Sequence, residues 1–433
     1  MYKNIIYLLL VVLFVQTRSV GQEQDIYIKA GQFYDSKNNQ LLKNKVIRVS
    51  GKTIESIKDF GKIPKNSEVV DLSDYTVLPG LIDAHTHVLF SQDANVDFSE
   101  HSVQSLTMES DGLRTLRGAK RAKSYLEVGI TSIKDLGNSG LFLDVGLRDA
   151  INEGTIEGPR IFASGPIMAA TGGQIYGVLT DHQDIIDLEY RIIKGVDDAR
   201  NAVREHVNQN VDLIKICADN LPNNTRLTVD EIKTIVETAH SYGLTVTAHC
   251  VTDASARNAI AGGVDGIEHG FNIADSTLTL MAQNKVFLVP TENSGAYMDT
   301  YVQLAGYKKE NTGWISKYMS NMKKRLMKAL DEKVTVVAGS DNYTDIGTTR
   351  GESSRDMFRT YFEAGMKPLN ILRSATYLSA LSLHKEKEIG YLTEGAKADI
   401  IAVKGNLTSN FVQTMGNVVF VMKDGHVYLD KVP

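Results

Sequence analysis

Two histidines, His85 and His87, stand two residues apart in the run Pro79-Gly-Leu-Ile-Asp-Ala-His-Thr-His. Side chains alternate between the faces of a strand, so both imidazoles fall on one face. On the inward face of a barrel strand, such a pair of neutral imidazoles can chelate one divalent ion. A single His-x-His also arises by chance, and its meaning depends on the rest of the set. His249 ends Thr-Val-Thr-Ala-His, His269 ends Gly-Ile-Glu-His, and Asp341 ends Val-Val-Ala-Gly-Ser-Asp. Each is a potential ligand at the C-terminal tip of an apolar run, the end at which a (β/α)8 barrel carries its chemistry. His101, His182, His206, His240, His384 and His426 lack that placement and read as hydrogen-bonded or surface residues.

Lys215 lies in the middle of Asp-Leu-Ile-Lys-Ile-Cys, with apolar residues on both sides. A bare ammonium buried there is costly. One solution is reaction of the neutral amine with carbon dioxide, giving a carbamate whose two oxygens could bridge two metal ions. The others are pairing with an acid such as Asp219 or Asp135, or a stem that packs while the head reaches solvent.

These residues need strands to hold them. Between about Pro79 and Ala380, short buried-type strands alternate with amphipathic helical stretches, which is the text of βα units. The expected strands are Leu81 to His87, Thr131 to Asp135, Arg160 to Ser164, Leu213 to Cys217, Thr245 to His249, Gly266 to His269, Phe287 to Pro290 and Thr335 to Ser340. Eight of them suggest a closed barrel. Before Leu78 and after about residue 386 the texture changes to short alternating strands, with Lys423-Asp424-Gly425 as a hairpin turn. One helix is legible in detail. Thr228 and Glu231 have capping-box spacing, Leu227 and Ile232 can form a hydrophobic staple, and Gly243 stands where a helix ends.

Lys3, the apolar run Ile5 to Val15, and the small residues Ser19 and Gly21 have the layout of a secretory signal cleaved before Gln22. That run is shorter than the roughly 20 residues needed to span a bilayer. An uncleaved anchor is the alternative. Removing residues 1–21 takes away Lys3 and Arg18 and no acid, so the formal charge goes from −5 to −7. Nucleic acid is not an expected partner. Two cysteines, Cys217 and Cys250, exclude a disulfide scaffold, and buried free thiols are the expectation over a bridge between neighbouring strands. No internal repeat or low-complexity segment interrupts the pattern.

His85-x-His87, Lys215, His249, His269 and Asp341, in this order, resemble the amidohydrolase superfamily, in particular its imidazolonepropionase-like branch with metal-dependent dipeptidases and carboxypeptidases. Thr76-Val-Leu-Pro-Gly-Leu-Ile-Asp-Ala-His-Thr-His, Gly158-Pro-Arg-Ile-Phe-Ala-Ser-Gly and Glu394-Gly-Ala-Lys-Ala-Asp-Ile-Ile add to the likeness, which covers nearly the whole mature chain. The resemblance implies an α/β fold: a (β/α)8 TIM-type barrel over 79–385, with a small β-sandwich built from 22–78 and 386–433. It implies that His85, His87 and Asp341 hold the more buried of two divalent ions, that His249 and His269 hold the second, and that carboxylated Lys215 bridges them. A hydroxide between the metals would be the nucleophile, and Asp341 the catalytic group that passes its proton to the leaving amine. Zinc suits the ligands best, although manganese, iron or cobalt could take the same site.

The chain departs from those relatives in two places. Where they commonly read Thr-Gly-Gly-His, this chain has Thr171-Gly-Gly-Gln174, and where they often carry a tyrosine before the helix at 228 it has Leu227, beside Arg226. Gln174 can donate and accept hydrogen bonds but cannot serve as a cation, so recognition of a free C-terminal carboxylate is in doubt. Gln174, Tyr176 and Arg226 are the substrate-contact candidates, with His182, Glu292, Asn293 and Asn342 as further loop residues on the same face. The expected activity is hydrolysis of a C–N bond in a small amide, dipeptide or N-acyl amino acid, in a periplasmic or extracellular space and free of the membrane after signal cleavage. A lactone, ester or phosphotriester hydrolase, a mononuclear deaminase and a non-catalytic metal-binding protein are the competing readings. The sequence leaves open whether the chain forms a homo-oligomer.

Overall fold

The structure is a computed structural model that describes residues 25–308 and 312–433. The export-signal reading of residues 1–21 lies outside the described residues.

The two ends of the chain share one sheet. Strands β1 (Ile26–Asp35), β2 (Gln40–Ser50), β3 (Thr53–Asp59) and β4 (Glu68–Pro79) come from the N-terminal part. The chain then crosses Gly80 directly into β5 (Leu81–Thr86). A Cβ at Gly80 would lie 2.0 Å from Thr131 Oγ1, so no larger residue fits where the sheet hands over to the next layer.

Parallel strands follow β5, with β6 (Gln92–Asp93) as a short rim ladder. They are β7 (Ile130–Asp135), β8 (Arg160–Ala163), β9 (Ile167–Ala169), β10 (Tyr190–Ile192) and β11 (Leu213–Cys217). A two-residue hairpin pair, β12 (Asp219–Asn220) and β13 (Thr225–Arg226), precedes β14 (Thr245–Thr252), β15 (Gly266–Asn272) and β16 (Phe287–Val289). After β17 (Thr344–Asp345), the partner of β6, the chain returns to the first sheet with β18 (Ile400–Val403), β19 (Val418–Lys423) and β20 (His426–Asp430). That sheet has the order β20-β19-β18-β4-β1-β2-β3.

β5, β7 and β8 form one parallel sheet, and β10, β9, β11, β14, β15 and β16 another. Asp212 N donates to Ala163 O at 2.8 Å between the two. At the other side, Leu288 N reaches Thr335 O and Ala84 N reaches Ala338 O, both at 2.9 Å. With the helices between the strands, this is a TIM-barrel-like α/β fold.

Several boundaries differ from the sequence expectation. Residues 335–340 make one isolated parallel bridge, Leu288 to Val336, in place of a regular strand. Their amides are diverted: Ala338 N goes to Ser374 O, Gly339 N to the Tyr361 hydroxyl, and Ser340 N to Asp83 Oδ1. β5 stops at Thr86, so His87 lies just past it. β14 and β15 run on beyond His249 and His269, because their ladder continues through Cys250–His269 to Thr252–Asn272 across an irregularity. The strands β9 and β10 were not expected; both are three residues long.

The capping box at Thr228 and Glu231 forms as its spacing predicts, and Leu227 and Ile232 join the same buried cluster. The helix Val229–Ser241 therefore starts where β14 needs it to. Cys217 and Cys250 are buried free thiols.

Candidate metal centre

β5 delivers His85, fully buried, and the next turn of chain delivers His87. Asp341 follows the 335–340 segment, and its amide donates to His85 O at 2.9 Å. The three are thereby brought together: Asp341 Oδ1 lies 3.5 Å from His85 Nε2 and 3.3 Å from His87 Nε2. One ligand atom from each lies within 4.8 Å of the others. β15 adds His269, whose Nδ1 is 3.6 Å from Asp341 Oδ2, and β14 adds His249, its ring centroid 4.5 Å from that of His269. Lys215, from β11, lines the same cavity of about 260 Å³.

The partners of the imidazoles set which nitrogen carries the proton. His85 Nδ1 stands 2.6 Å from Glu268 Oε2, and a carboxylate can only accept, so Nδ1 donates and Nε2 keeps its lone pair. His87 Nδ1 likewise donates to Gly137 O at 2.8 Å. Both Nε2 atoms then face Asp341. His85 Nε2 and Asp341 Oδ1 are buried without a hydrogen-bond partner. Two buried acceptors facing each other across 3.5 Å are unfavourable unless a cation lies against both, and imidazole with carboxylate is a donor set that divalent zinc accepts.

Burial dominates the electrostatics. It pushes His85 and His269 well below the ordinary histidine value and His249 down to about 4. All three are neutral, ligand-competent imidazoles near neutral pH. Burial alone would raise Asp341, yet the basic groups that ring it hold its carboxyl below the ordinary value. Lys215 is also held below its usual value by burial, against the pull of Glu268. No carboxylate oxygen stands within 4.0 Å of its Nζ among the described residues. Asp135 is occupied by Val88 N and the Thr86 and Ser139 hydroxyls, and Asp219 by Val251 N and Thr252. The acid pairing that the sequence left open is absent at both positions.

Sequence reasoning missed the residues behind these side chains. Glu268 accepts from His85, from Thr247 Oγ1 at 2.5 Å and from Lys134 Nζ at 3.0 Å, all of them buried. Thr291 Oγ1 is 2.7 Å from His269 Nδ1. A signal for Lys134 was present, since it too is a lysine inside an apolar strand. The structure separates the two lysines: Lys134 has a carboxylate partner and Lys215 has none.

Gln174 and Tyr176 line the cavity, with the Gln174 side-chain amide 3.2 Å from His249 Nε2. Phe98, Ser99, Asn138, Ile167, Leu221, Pro222 and Tyr343 complete the lining, and the sequence pointed to none of them. Arg226 is not brought there. It is exposed on β13, paired across the small ladder with Asp219. His182, Glu292, Asn293 and Asn342 also fall outside the lining; Glu292 forms a buried ion pair with Arg325, and Asn342 donates to Ser353 O.

Residues 76–428 match the family described as the amidohydrolase family. Ochratoxinase of Aspergillus niger is 27% identical over 396 residues, covering 85% of this chain and 79% of that one. Among solved structures, a Xaa-Pro dipeptidase with bound methionine in its active site superposes with a TM-score of 0.79 at 28% identity, over 94% of this chain and 100% of that one. A prolidase complexed with N-methylphosphonate-L-proline gives a TM-score of 0.81 at 26% identity, with the same coverage.

Proposed function

The chain belongs to the amidohydrolase family and is a hydrolase acting on carbon–nitrogen bonds; from that premise we propose that it cleaves the amide bond of a small molecule, a dipeptide or an N-acyl amino acid at the cluster around Asp341. The observation that carries the reading is the pair of buried, unpartnered acceptors, His85 Nε2 and Asp341 Oδ1, ringed by three further imidazoles. His85, His87 and Asp341 would hold one divalent ion, and His249 and His269 a second, with Lys215, carboxylated by carbon dioxide, between them. Zinc is the first choice for both. Bound divalent ions lower the pKa of water from about 15.7 towards 7 and polarise a substrate carbonyl.

The chain's own residues do the rest. Asp341, ionised and reaching three imidazoles, receives a proton from the attacking water and returns it to the leaving nitrogen. Glu268 and Gly137 O fix His85 and His87 in one tautomer each, so their lone pairs are preset and need no reorganisation. Gln174, beside His249, can hydrogen-bond a substrate amide.

The eight segments β5, β7, β8, β11, β14, β15, β16 and 335–340 are read as a closed barrel over 79–385. The backbone bonds from Asp212 to Ala163 and from the 335–340 segment to both Leu288 and Ala84 support closure. The sheet made by 22–78 and 386–433 is read as the small sandwich domain. Residues 1–21 are read as an export signal, which would place the mature enzyme in a periplasm or outside the cell.

Metal content per chain tests the centre. Protein produced with zinc and bicarbonate should carry about two ions, and the Lys215→Ala variant clearly fewer. One ion in both would reject the bridging role and favour a mononuclear site. Amine release from a panel of dipeptides and N-acyl amino acids then tests the reaction; release of an acid without an amine would favour an ester or lactone hydrolase.

A further inference from the structure

The cavity wall beyond the metal cluster is uncharged. Among its described lining residues, charge resides only on Lys215 and Asp341, both within the cluster. Three buried arginines outside the lining are occupied. Arg325 is paired with Glu292, Arg114 with Glu189, and Arg350 with the carbonyls of His87, Phe90 and Tyr343. Arg226 is exposed on β13, its backbone paired with Asp219, and it is not among the residues that line the cavity.

Two large side chains at this cavity are nonetheless open to solvent, Tyr176 at 46% and Leu221 at 41%. A single exposed apolar side chain needs no explanation. Two that line one cavity, on loops fastened to each other, do. Asn223 Nδ2 donates to the carbonyls of Gly172, Gly173 and Ile175, tying the Leu221 hairpin to the Tyr176 loop. Thr225 Oγ1 adds a bond to Thr171 O at 2.8 Å. On the other side Tyr176 is held as well: its N–H donates to Ser99 Oγ at 3.0 Å, and its phenol donates to Asp97 Oδ2 at 3.2 Å. The collar is therefore built before any ligand arrives, which lowers the ordering cost of binding. Deeper in, Phe98 and Tyr343 present aromatic edges, with ring centroids 6.3 Å apart.

We propose that the substrate's group beside the scissile C–N bond is uncharged and apolar, an aromatic or branched side chain seated between Tyr176 and Leu221, and that a free carboxylate at that position is disfavoured. This rests on the C–N hydrolase reading above. An apolar group gains contact area there, whereas a carboxylate would lose water and find no cation among the described lining residues outside the metal cluster. Tyr176 and Leu221 are then the residues that set specificity.

The test compares N-benzoyl-L-phenylalaninamide with N-benzoyl-L-phenylalanine, following cleavage of the benzoyl–nitrogen bond, and measures binding of both to the Asp341→Asn variant by calorimetry. The neutral compound should be favoured by about tenfold or more in kcat/KM and in affinity, the scale of a single pocket contact. Leu221→Arg should move the ratio toward the acid chiefly through KM, and Tyr176→Ala should lower kcat/KM for the neutral compound. Preference for the acid in the parent, or a ratio that neither variant moves, overturns the proposal and leaves amide hydrolysis standing. Preferential binding of the neutral compound with no amide cleaved by the metal-loaded parent supports the recognition and defeats the hydrolytic reading.

Discussion

Glu268 holds three buried groups at once, and its charge matters to each. It accepts from His85 Nδ1, Lys134 and Thr247, and against the upward push of burial the Lys134 ammonium holds its carboxyl below the ordinary value. Glu268→Gln keeps the shape but removes the charge that fixes the His85 tautomer. Metal affinity should fall by about 10- to 100-fold, as it does when outer partners of ligands are changed. Zinc retention during dialysis against graded chelator measures this, and retention equal to the parent would show that His85 needs no such partner. The clustered histidines and Asp341 were legible in the sequence because each stands at the end of an apolar run. Glu268 was not, because the histidine beside it in Gly-Ile-Glu-His already accounted for that segment. Leu221 and Tyr343 were invisible for a different reason: they reach the cavity from loops, where no periodicity says which way a side chain points.

At the scale of elements, the strands were readable from their apolar runs and the helix at 229 from its cap, but the junction between strand and site was not. Residues 335–340 read as a strand and are one only in part, since Asp83, Tyr361 and Ser374 take their amides. Such diversions are tertiary and leave no local trace. A second tertiary effect sits at the start of the helix Leu143–Asn152, where Asp144 is fully buried and accepts from Gly165 N at 2.8 Å and Val145 N at 2.9 Å. Burial, with Asp135 nearby, raises its pKa from 3.8 to about 7. A carboxyl that binds its proton more tightly when folded favours the folded state at low pH. Its contribution is full below 3.8 and is lost as pH rises through about 7. Asp144→Asn keeps an acceptor for Gly165 and cannot ionise. The variant's urea midpoint, relative to the parent's, should therefore be higher at pH 8 than at pH 5. An equal difference at both pH values would mean that Asp144 stays ionised in the fold.

For the molecule as a whole, the question is what joins the sheet of the two ends to the barrel-like layer. Part of the joint is apolar. Ile400, Ala402, Phe420 and Met422 face a core of their own with Ile28 and Ile47, while Ile401, Val403, Val418 and Val421 belong to the large core of the α/β layer. The other part is Arg160, at the start of β8. It contacts Asp399 and reaches Asp424 Oδ1 at 2.5 Å and Ser132 Oγ at 3.2 Å. Asp399 in turn accepts from Asp424 N, and its carbonyl accepts from Gly80 N at 2.8 Å. Three stretches noticed separately in the sequence, Gly158-Pro-Arg160, Pro79-Gly80 and Lys397-Ala-Asp399, thus meet at one point. Their recurrence together was legible; their contact was not, because 239 residues separate Arg160 from Asp399. Removing one member of a mostly buried charge cluster leaves the others unpaired, which costs about 3–5 kcal/mol. Arg160→Ala should lose stability on that scale in urea unfolding. Arg160→Lys keeps the charge without the two-pronged geometry and should lose less. If Arg160→Ala falls by under about 1 kcal/mol, the range of an exposed pair, the apolar seam around Ile401 and Val421 carries the joint alone.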